Sequence, residues 1–219
     1  MQGNGTIVVV AAGEGPAVVS ALPAGSVVIA ADGGLDRARE LGLEPDLVVG
    51  DLDSVTPEAL AEAEQRGTRI LRHPTAKDAT DLELALDEAL ALAPERIVVV
   101  ASASGRLDHL LAALLLLGSE RLAAVEIDAF VGDALVHVIR GERRLTGRPG
   151  EMVTLSAVHG PAVGVSTDGL EYPLERETLH PGSSRGVSNL FAAPTARIAV
   201  AGGVLLAIRP DDVREARPA

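Results

Sequence analysis

Through its first half the chain alternates short apolar runs with longer segments of helical periodicity. The apolar runs are rich in Val and Ile and are nearly continuous, which is typical of strands that a sheet buries on both faces. Strands that alternate with helices predict a parallel sheet flanked by helices, of the Rossmann-like α/β class. The predicted strands are residues 7–11, 27–31, 47–49, 97–101 and 125–130.

Two helices of this half are predicted from the residues at their starts. Thr56 and Pro57 suit the N-cap and the first turn of a helix that runs past Leu60. Thr80 and Glu83 form a capping box in front of Leu and Ala residues at helical spacing. Each pattern therefore predicts both a helix and the residue at which it begins.

Helical periodicity disappears after residue 130, and short alternating runs of β-forming residues follow. Asp168-Gly169 and Gly202-Gly203 are predicted to be hairpin-type turns between these strands. The second half is therefore predicted to be an antiparallel β domain. We place the domains at residues 1–131 and 132–219.

Composition narrows the range of partners. The formal net charge is -12 and the pI is about 4.8, which argues against a nucleic-acid polymer or an anionic membrane surface. The chain has no Cys, which excludes disulfides and thiolate chemistry. Its start lacks the basic residues of a signal peptide, and the apolar run at residues 6–12 is too short to span a bilayer, so we expect a cytoplasmic location.

Two short loops carry closely spaced acidic residues. Asp51 and Asp53 follow a predicted strand, and Asp81 begins a predicted helix just after Lys77, which is the only Lys of the chain. Carboxylates this close repel one another unless a cation neutralises them, and Mg²⁺ prefers such oxygen ligands. An ammonium beside a helix N-terminus suits a phosphate group. The alternatives are a solvated turn for Asp51 and Asp53 and a favourable helix-dipole position for Asp81.

Two further loops at predicted strand ends contain residues of chemical interest. Asp32 and Gly33 follow the second strand, where glycine would let the backbone approach a ligand closely. Arg106 could bind phosphate, and Asp108 could be either a site residue or a helix cap. The sequence has neither a Gly-x-Ser-x-Gly elbow nor a Walker-type P-loop, so serine-hydrolase and P-loop kinase chemistry find no support.

Taken in order, the motifs resemble those of the thiamine pyrophosphokinase family, and the resemblance covers nearly the whole chain. The motifs are Ala31-Asp32-Gly33-Gly34, the segments at residues 45–54 and 77–86, Gly105-Arg106-Leu107-Asp108-His109 and Gly186-Val187-Ser188-Asn189-Leu190-Phe191. The resemblance implies an α/β nucleotide-binding domain, a C-terminal β-sandwich and a homodimer with active sites in clefts between subunits. It also implies the reaction of ATP with thiamine to give thiamine diphosphate and AMP.

The resemblance also implies roles for single residues. The metal ligands for Mg²⁺ would be Asp51, Asp53 and Asp81. Catalysis would involve Lys77 and Arg106, which neutralise developing charge, with Asp108 nearest the attacking hydroxyl. The nucleotide would also contact Asp32, Gly33 and Thr80. In the β domain, Ser188 and Asn189 would hydrogen-bond the aminopyrimidine of thiamine.

One departure from the family pattern concerns the acceptor. Relatives often have an aromatic residue on the final strand, whereas residues 203–208 contain none. Either the stacking of the substrate is weaker here, or Phe191 or Tyr172 takes the place of that aromatic residue. Another heterocyclic alcohol, such as a hydroxymethyl pterin, therefore stays open as the acceptor. A non-enzymatic sensor of Mg-ATP is the alternative from a different functional class.

Overall fold

The computed structural model describes residues 5–13, 22 and 25–210, and the contacts within it form two compact units. The first unit takes the described residues up to Ala113 together with Val125–Asp133. The second takes Leu114–Ala124 together with the described residues from Ala134 onwards. The contacts thus divide the chain at more than one place, because Leu114–Ala124 belongs to the second unit. The single domain boundary after residue 131 stays a prediction.

The first unit contains a parallel sheet. Its strands are β1 (Thr6–Val10), β2 (Val27–Ala31), β3 (Leu47–Gly50), β4 (Arg69–Arg72), β5 (Arg96–Ala101) and β6 (Glu126–Val131). Their spatial order is β4-β3-β2-β1-β5-β6, and every neighbouring pair is parallel. The predicted parallel sheet is confirmed. The pattern missed β4, because its only apolar residues are Ile70 and Leu71, which are half-buried at the edge of the sheet.

Four helices accompany this sheet, namely α1 (Gly34–Glu40), α2 (Pro57–Arg66), α3 (Asp81–Ala91) and α4 (Leu107–Leu117). The predicted N-caps are confirmed, because Thr56 Oγ1 accepts from the N–H of Ala59 at 3.3 Å and Thr80 Oγ1 accepts from the N–H of Glu83 at 3.2 Å. None of the helices in the described ranges is long and apolar enough to cross a membrane.

The second unit is antiparallel. Its strands are β7 (Ala134–Ile139), β8 (Glu142–Thr146), β9 (Met152–Asp168), β10 (Glu177–Leu179), β11 (Asn189–Leu190), β12 (Thr195–Ala199) and β13 (Gly202–Arg209). The long strand β9 pairs with β13 in one ladder and with β12 in another, and the two ladders share one apolar core. At His159 and Gly160 the φ angles are +60° and +144°, and this break lets β9 serve both ladders. The predicted antiparallel β half is confirmed.

The two predicted hairpin-type turns fare differently. Asp168-Gly169 opens the connection between β9 and β10, which are antiparallel, but this connection runs on to residue 176 instead of closing as a tight turn. The turn predicted at Gly202-Gly203 is wrong, because these residues begin β13, and β12 and β13 pair with β9 and not with each other. Gly169 and Gly203 allow close backbone contacts, because a Cβ would lie 2.3 Å from the carbonyl oxygen of Thr195 and 2.4 Å from that of Pro161, respectively. Both also have positive φ angles, which glycine adopts without strain.

Candidate active site

Three carboxylates meet at the carboxyl ends of two neighbouring strands. Asp32 directly follows β2, and Asp51 and Asp53 follow β3, its partner in the sheet. Each of the three offers an oxygen that lies within 4.8 Å of the other two. We call Asp32, Asp51 and Asp53 the acidic cluster. It lies at the carboxyl edge of the sheet, which is the edge at which open α/β sheets bind ligands.

Glycines make room for this cluster. Gly50 has a φ of +151°, and a Cβ there would lie 2.9 Å from Asp81 Oδ1 and 3.0 Å from Asp32 Cβ. A Cβ on Gly34 would lie 2.0 Å from the carbonyl oxygen of Val10, so that glycine is required where α1 begins. A Cβ on Gly33 would lie 3.2 Å from both Ala12 Cβ and the carbonyl oxygen of Ser54. The binding of nucleotide by Gly33 stays a prediction.

Asp32 is the most strained member of the cluster. It is 7% exposed, its φ is +49°, and its Oδ1 is buried with no hydrogen-bond partner in the described structure. Burial raises the pKa of Asp32, although hydrogen bonds from Gly33 and Ser54 act in the opposite direction. A buried carboxylate that has an unpaired oxygen and lies near two further carboxylates is costly without a cation. The donor set of the cluster therefore fits a hard divalent ion.

This pKa shift predicts a pH dependence of stability. A raised pKa in the folded state means that folding stabilises the protonated form, so Asp32 should lower the free energy of unfolding as pH rises above 3.8. We expect Asp32→Asn to be more stable than the wild type at neutral pH, with the difference shrinking on acidification. Urea unfolding across pH measures it, and Asp78→Asn, at an exposed site, is the control.

The opposite trend would contradict this account of Asp32, as would an equal gain from Asp78→Asn. Mg²⁺ should narrow the difference between wild type and Asp32→Asn, because an ion bound to the cluster would offset the cost of the buried charge.

Lys77 links the acidic cluster to α3. Its Nζ donates to Asp51 Oδ2 at 3.2 Å and to Asp81 Oδ1 at 2.7 Å, with the side chain only 14% exposed. Desolvation would lower the pKa of Lys77, but the two carboxylates raise it overall. Desolvation would likewise raise the pKa of Asp51, and the hydrogen bond from Lys77 is the main reason why it is lowered instead. The ammonium is thus held charged at the edge of the cluster.

The structure groups the predicted metal ligands differently from the sequence. Asp51 and Asp53 come together as expected, but the third carboxylate within reach is Asp32, while Asp81 is paired with Lys77. Sequence reasoning placed Asp32 near the nucleotide and did not group it with Asp51 and Asp53. Its position immediately after a strand was the available signal, but that signal needs the knowledge that β2 and β3 are neighbours.

Two other residues predicted to contact the nucleotide, Thr80 and Arg106, have hydrogen bonds of their own within the chain. Thr80 uses its hydroxyl oxygen as the N-cap of α3, next to Asp81. Arg106 and Asp108 form an exposed ion pair at 2.6 Å, and in the described structure the side-chain bonds of Arg106 go to Asp108 and not to the acidic cluster. The hydrogen bond from Arg106 lowers the pKa of Asp108 to about 2. A carboxylate this acidic is a weak base at neutral pH, which disfavours Asp108 as a proton acceptor.

The predicted pair in the β domain is only partly accessible. Ser188 is exposed and has a φ of +58°, and its N–H donates to Thr154 Oγ1 at 3.0 Å. Asn189 is 4% exposed, and its amide is bonded to the backbone of Tyr172 and Leu190. The structure therefore keeps Asn189 largely occupied with its own chain.

A cavity of about 250 Å³ lies elsewhere in the first unit, at the amino ends of β3 and β4. Arg39 and Arg66 line it and form ion pairs with Glu62. The acidic cluster does not line this cavity, which lies at the opposite ends of the strands. We therefore regard the cluster as the candidate active site.

Comparison with known proteins assigns both units to one family. A model described as "Thiamin pyrophosphokinase, catalytic domain" matches residues 20–128, and one described as "Thiamin pyrophosphokinase, vitamin B1 binding domain" matches residues 136–205. The chain belongs to the thiamin pyrophosphokinase family. The predicted family is confirmed, and so is the prediction that the protein is an enzyme.

Individual members of the thiamin pyrophosphokinase family agree with this assignment. The thiamine pyrophosphokinase of Bacillus subtilis is 26% identical over 186 residues, which are 84% of this chain and 87% of the relative. A crystal structure of thiamine pyrophosphokinase from Bacillus subtilis has a TM-score of 0.82 at 25% identity and covers 93% of this chain and 98% of that chain. A thiamin pyrophosphokinase family protein from Enterococcus faecalis has a TM-score of 0.78 at 25% identity, with 94% and 98% covered. The predicted fold class is confirmed.

Proposed function

We propose that the protein transfers the pyrophosphoryl group of ATP to the hydroxyethyl oxygen of thiamine, giving thiamine diphosphate and AMP. The observation that carries this proposal is the convergence of Asp32, Asp51 and Asp53 beside Lys77, in a chain whose units match the two domains of the family. The proposal includes ATP as donor, Mg²⁺ as the ion and a cytoplasmic location.

The acidic cluster would hold the metal. Asp51 and Asp53 are common to the sequence-based and the structure-based ligand sets, and Asp32 is the third member because one of its carboxylate oxygens lies within 4.8 Å of theirs. Its Oδ1 has no hydrogen-bond partner in the described structure. Asp81 would join as a further ligand or keep Lys77 in place. Bound there, Mg²⁺ would supply charge neutralisation at the phosphate oxygens.

Apart from the metal, the protein would act by holding the two substrates in line and by neutralising charge. The hydroxyl oxygen of thiamine attacks the β-phosphorus in line, forms a bond to it and releases its proton to solvent. The bond between the β-phosphorus and the oxygen that bridges to the α-phosphorus breaks, and AMP leaves with that oxygen. Lys77, held charged by Asp51 and Asp81, neutralises the negative charge that spreads over the oxygens in the transition state. Orienting the two substrates supplies much of the remaining rate.

Turnover assays with defined acceptors test the reaction. The purified protein is incubated with ATP and Mg²⁺ and with thiamine, a hydroxymethyl pterin or no acceptor, and AMP and the diphosphate product are quantified. We expect AMP and thiamine diphosphate in equal amounts with thiamine alone. Turnover of only the pterin alcohol would favour the other acceptor class, and ATP binding without AMP from any acceptor would favour a nucleotide sensor.

The predicted homodimer finds support in helix α4. Its leucines Leu107, Leu111 and Leu115 are spaced four residues apart on one face and are 77%, 56% and 39% exposed. Beyond His109 the helix has no charged residue, so the surface is complementary to another apolar stripe, and a second copy of this chain provides one. We therefore propose that α4 contributes to the dimer interface.

The molecular mass of the protein in solution tests this proposal. Leu111→Glu should convert a dimer into a monomer, because it places a charge in the centre of the apolar stripe. Light scattering coupled to gel filtration measures the mass. Leu92→Glu, at a leucine that is 47% exposed at the C-terminal end of α3, is the control and should leave the mass unchanged. A wild-type monomer, or a dimer that tolerates Leu111→Glu, would contradict the assignment.

A further inference from the structure

The chain has only three aromatic rings, one Tyr and two Phe, and all three lie in the described residues. Phe130 is 7% exposed in β6, and Phe191 is 1% exposed in the core of the second unit. Tyr172 is 52% exposed. Among the Phe and Tyr side chains, it is therefore the one that is open to a ligand.

Phe191 cannot replace it. The Phe191 ring packs so closely on Gly147 that a Cβ on this glycine would lie 2.8 Å from the ring. The guanidinium of Arg209 also lies over the Phe191 ring, 5.7 Å from the centroid of the ring. A ring enclosed in this way contributes to stability and has no face left for an aromatic substrate. Of the two aromatic residues that the sequence offered for stacking, only Tyr172 is accessible.

A buried amide holds the backbone of Tyr172. Asn189 Oδ1 accepts from the N–H of Tyr172 at 3.0 Å, and Asn189 Nδ2 donates to the carbonyl oxygen of Tyr172 at 2.7 Å. The same Oδ1 also accepts from the N–H of Leu190 at 2.9 Å, which uses both of its lone pairs. This leaves Asn189 no oxygen lone pair with which to accept from the amino group of an aminopyrimidine.

Backbone hydrogen bonds also join the segment at residues 169–171 to the segment at residues 190–192. Leu170 forms an isolated bridge with Phe191, the N–H of Glu171 donates to the carbonyl oxygen of Leu190 at 2.9 Å, and the N–H of Ala192 donates to that of Gly169 at 2.8 Å. Loops of this kind usually leave exposed side chains mobile. Here a paired backbone fixes the position of an exposed aromatic side chain, which is the arrangement expected of a binding residue.

We propose that Tyr172 is the residue on which the acceptor's aromatic heterocycle stacks, and that Asn189 is a positioning residue that fixes Tyr172 rather than a ligand of the aminopyrimidine. This rests on the proposed function, in which the acceptor is thiamine with its aminopyrimidine and cationic thiazolium rings. The face of a tyrosine ring attracts both stacked heterocycles and cations. The match of residues 136–205 to a vitamin B1 binding domain places Tyr172 in the appropriate unit.

Intrinsic fluorescence offers a direct test, because the chain has one Tyr and no Trp, so that tyrosine emission reports on Tyr172 alone. We expect thiamine, added without ATP, to quench this emission after correction for its absorbance. Quenching by a hydroxymethyl pterin and not by thiamine would retain the role of Tyr172 but overturn thiamine as the acceptor. Turnover of thiamine without any quenching would overturn the role of Tyr172.

Variants separate the ring from its support. Tyr172→Ala should raise the KM for thiamine about tenfold or more and leave the KM for ATP unchanged, whereas Tyr172→Phe should keep both near wild type. Val163→Ala, another exposed residue of the second unit, is the matched control. An unchanged KM for thiamine in Tyr172→Ala would contradict stacking.

Asn189→Asp tests the positioning role. The substitution keeps the shape and the acceptor oxygen but removes the N–H that donates to Tyr172. We expect a lower fluorescence anisotropy of Tyr172 and a higher KM for thiamine, with kcat little changed. The assays are run well below the melting temperature, which the buried carboxylate should lower. Thr154→Val, which removes the Ser188 contact instead, is the comparison. Wild-type anisotropy and KM in Asn189→Asp would overturn the role assigned to Asn189.

Discussion

Asp53→Asn should lower kcat for the proposed transfer by about 10²-fold to 10³-fold, the usual cost of removing one preorganised electrostatic contact to a transition state. Asp53 is exposed, its Oδ1 accepts from the hydroxyl of Ser54 at 2.9 Å, and an amide oxygen can accept the same bond. The substitution removes charge from the acidic cluster without disturbing packing. We therefore expect the melting temperature to stay the same or to rise, because like charges repel one another when no metal is bound.

Steady-state kinetics across Mg²⁺ concentration, together with thermal melting, measure both expectations. Because the variant weakens the metal site, its activity should need more Mg²⁺ than the wild type. Glu58→Gln, which neutralises an exposed acid in the first turn of α2, is the matched control and should behave as wild type. Normal turnover by Asp53→Asn at limiting Mg²⁺ would remove Asp53 from the ligand set, and a large loss of stability would indicate a structural role.

Lys77→Arg should lower kcat by about tenfold to 100-fold although it keeps the positive charge. The Nζ of Lys77 lies between Asp51 and Asp81 with the side chain 14% exposed, so a longer planar guanidinium has to displace one of these carboxylates. Because Asp51 belongs to the acidic cluster, this displacement changes the metal site as well as the charge beside it. The expected signature is a lower kcat combined with a higher requirement for Mg²⁺.

Arg66→Lys, which alters a basic residue that is 51% exposed on α2, is the control for exchanging Arg and Lys. It should change neither parameter, because surface ion pairs tolerate either cation. Lys77→Met distinguishes charge from shape, and we expect it to be at least as impaired as Lys77→Arg. Wild-type kinetics in Lys77→Arg would mean that the single lysine has no role that an arginine cannot fill.

Local patterns in the sequence were sufficient for most of the first unit. Continuous apolar runs predicted five strands of its sheet, and Thr56 and Thr80 predicted helix starts that the structure has at the same residues. The pattern failed at β4, which is short and half-buried at the edge of the sheet. It also failed at Gly203, because a glycine required by the close approach of another segment looks identical to a glycine in a turn.

The residues of the candidate site also differ in whether the sequence or only the structure points to them. The sequence alone identified Asp51, Asp53 and Lys77, because clustered carboxylates and a solitary lysine are unusual in any fold. It could not identify Asp32 as their neighbour, since that depends on β2 pairing with β3. Likewise, only the structure separates Tyr172, which is exposed, from Phe191, which is buried.

By itself the sequence determined the family, the classes of secondary structure and the types of chemical group available, because periodicity, capping residues and motif order are local properties. The tertiary structure decided which of those groups share a site. Strand order brings Asp32 to Asp51 and Asp53, and the contacts around residues 170–191 bind the amide of Asn189 to the backbone of Tyr172. Such contacts join residues far apart in the chain, and no local pattern encodes the distances between them.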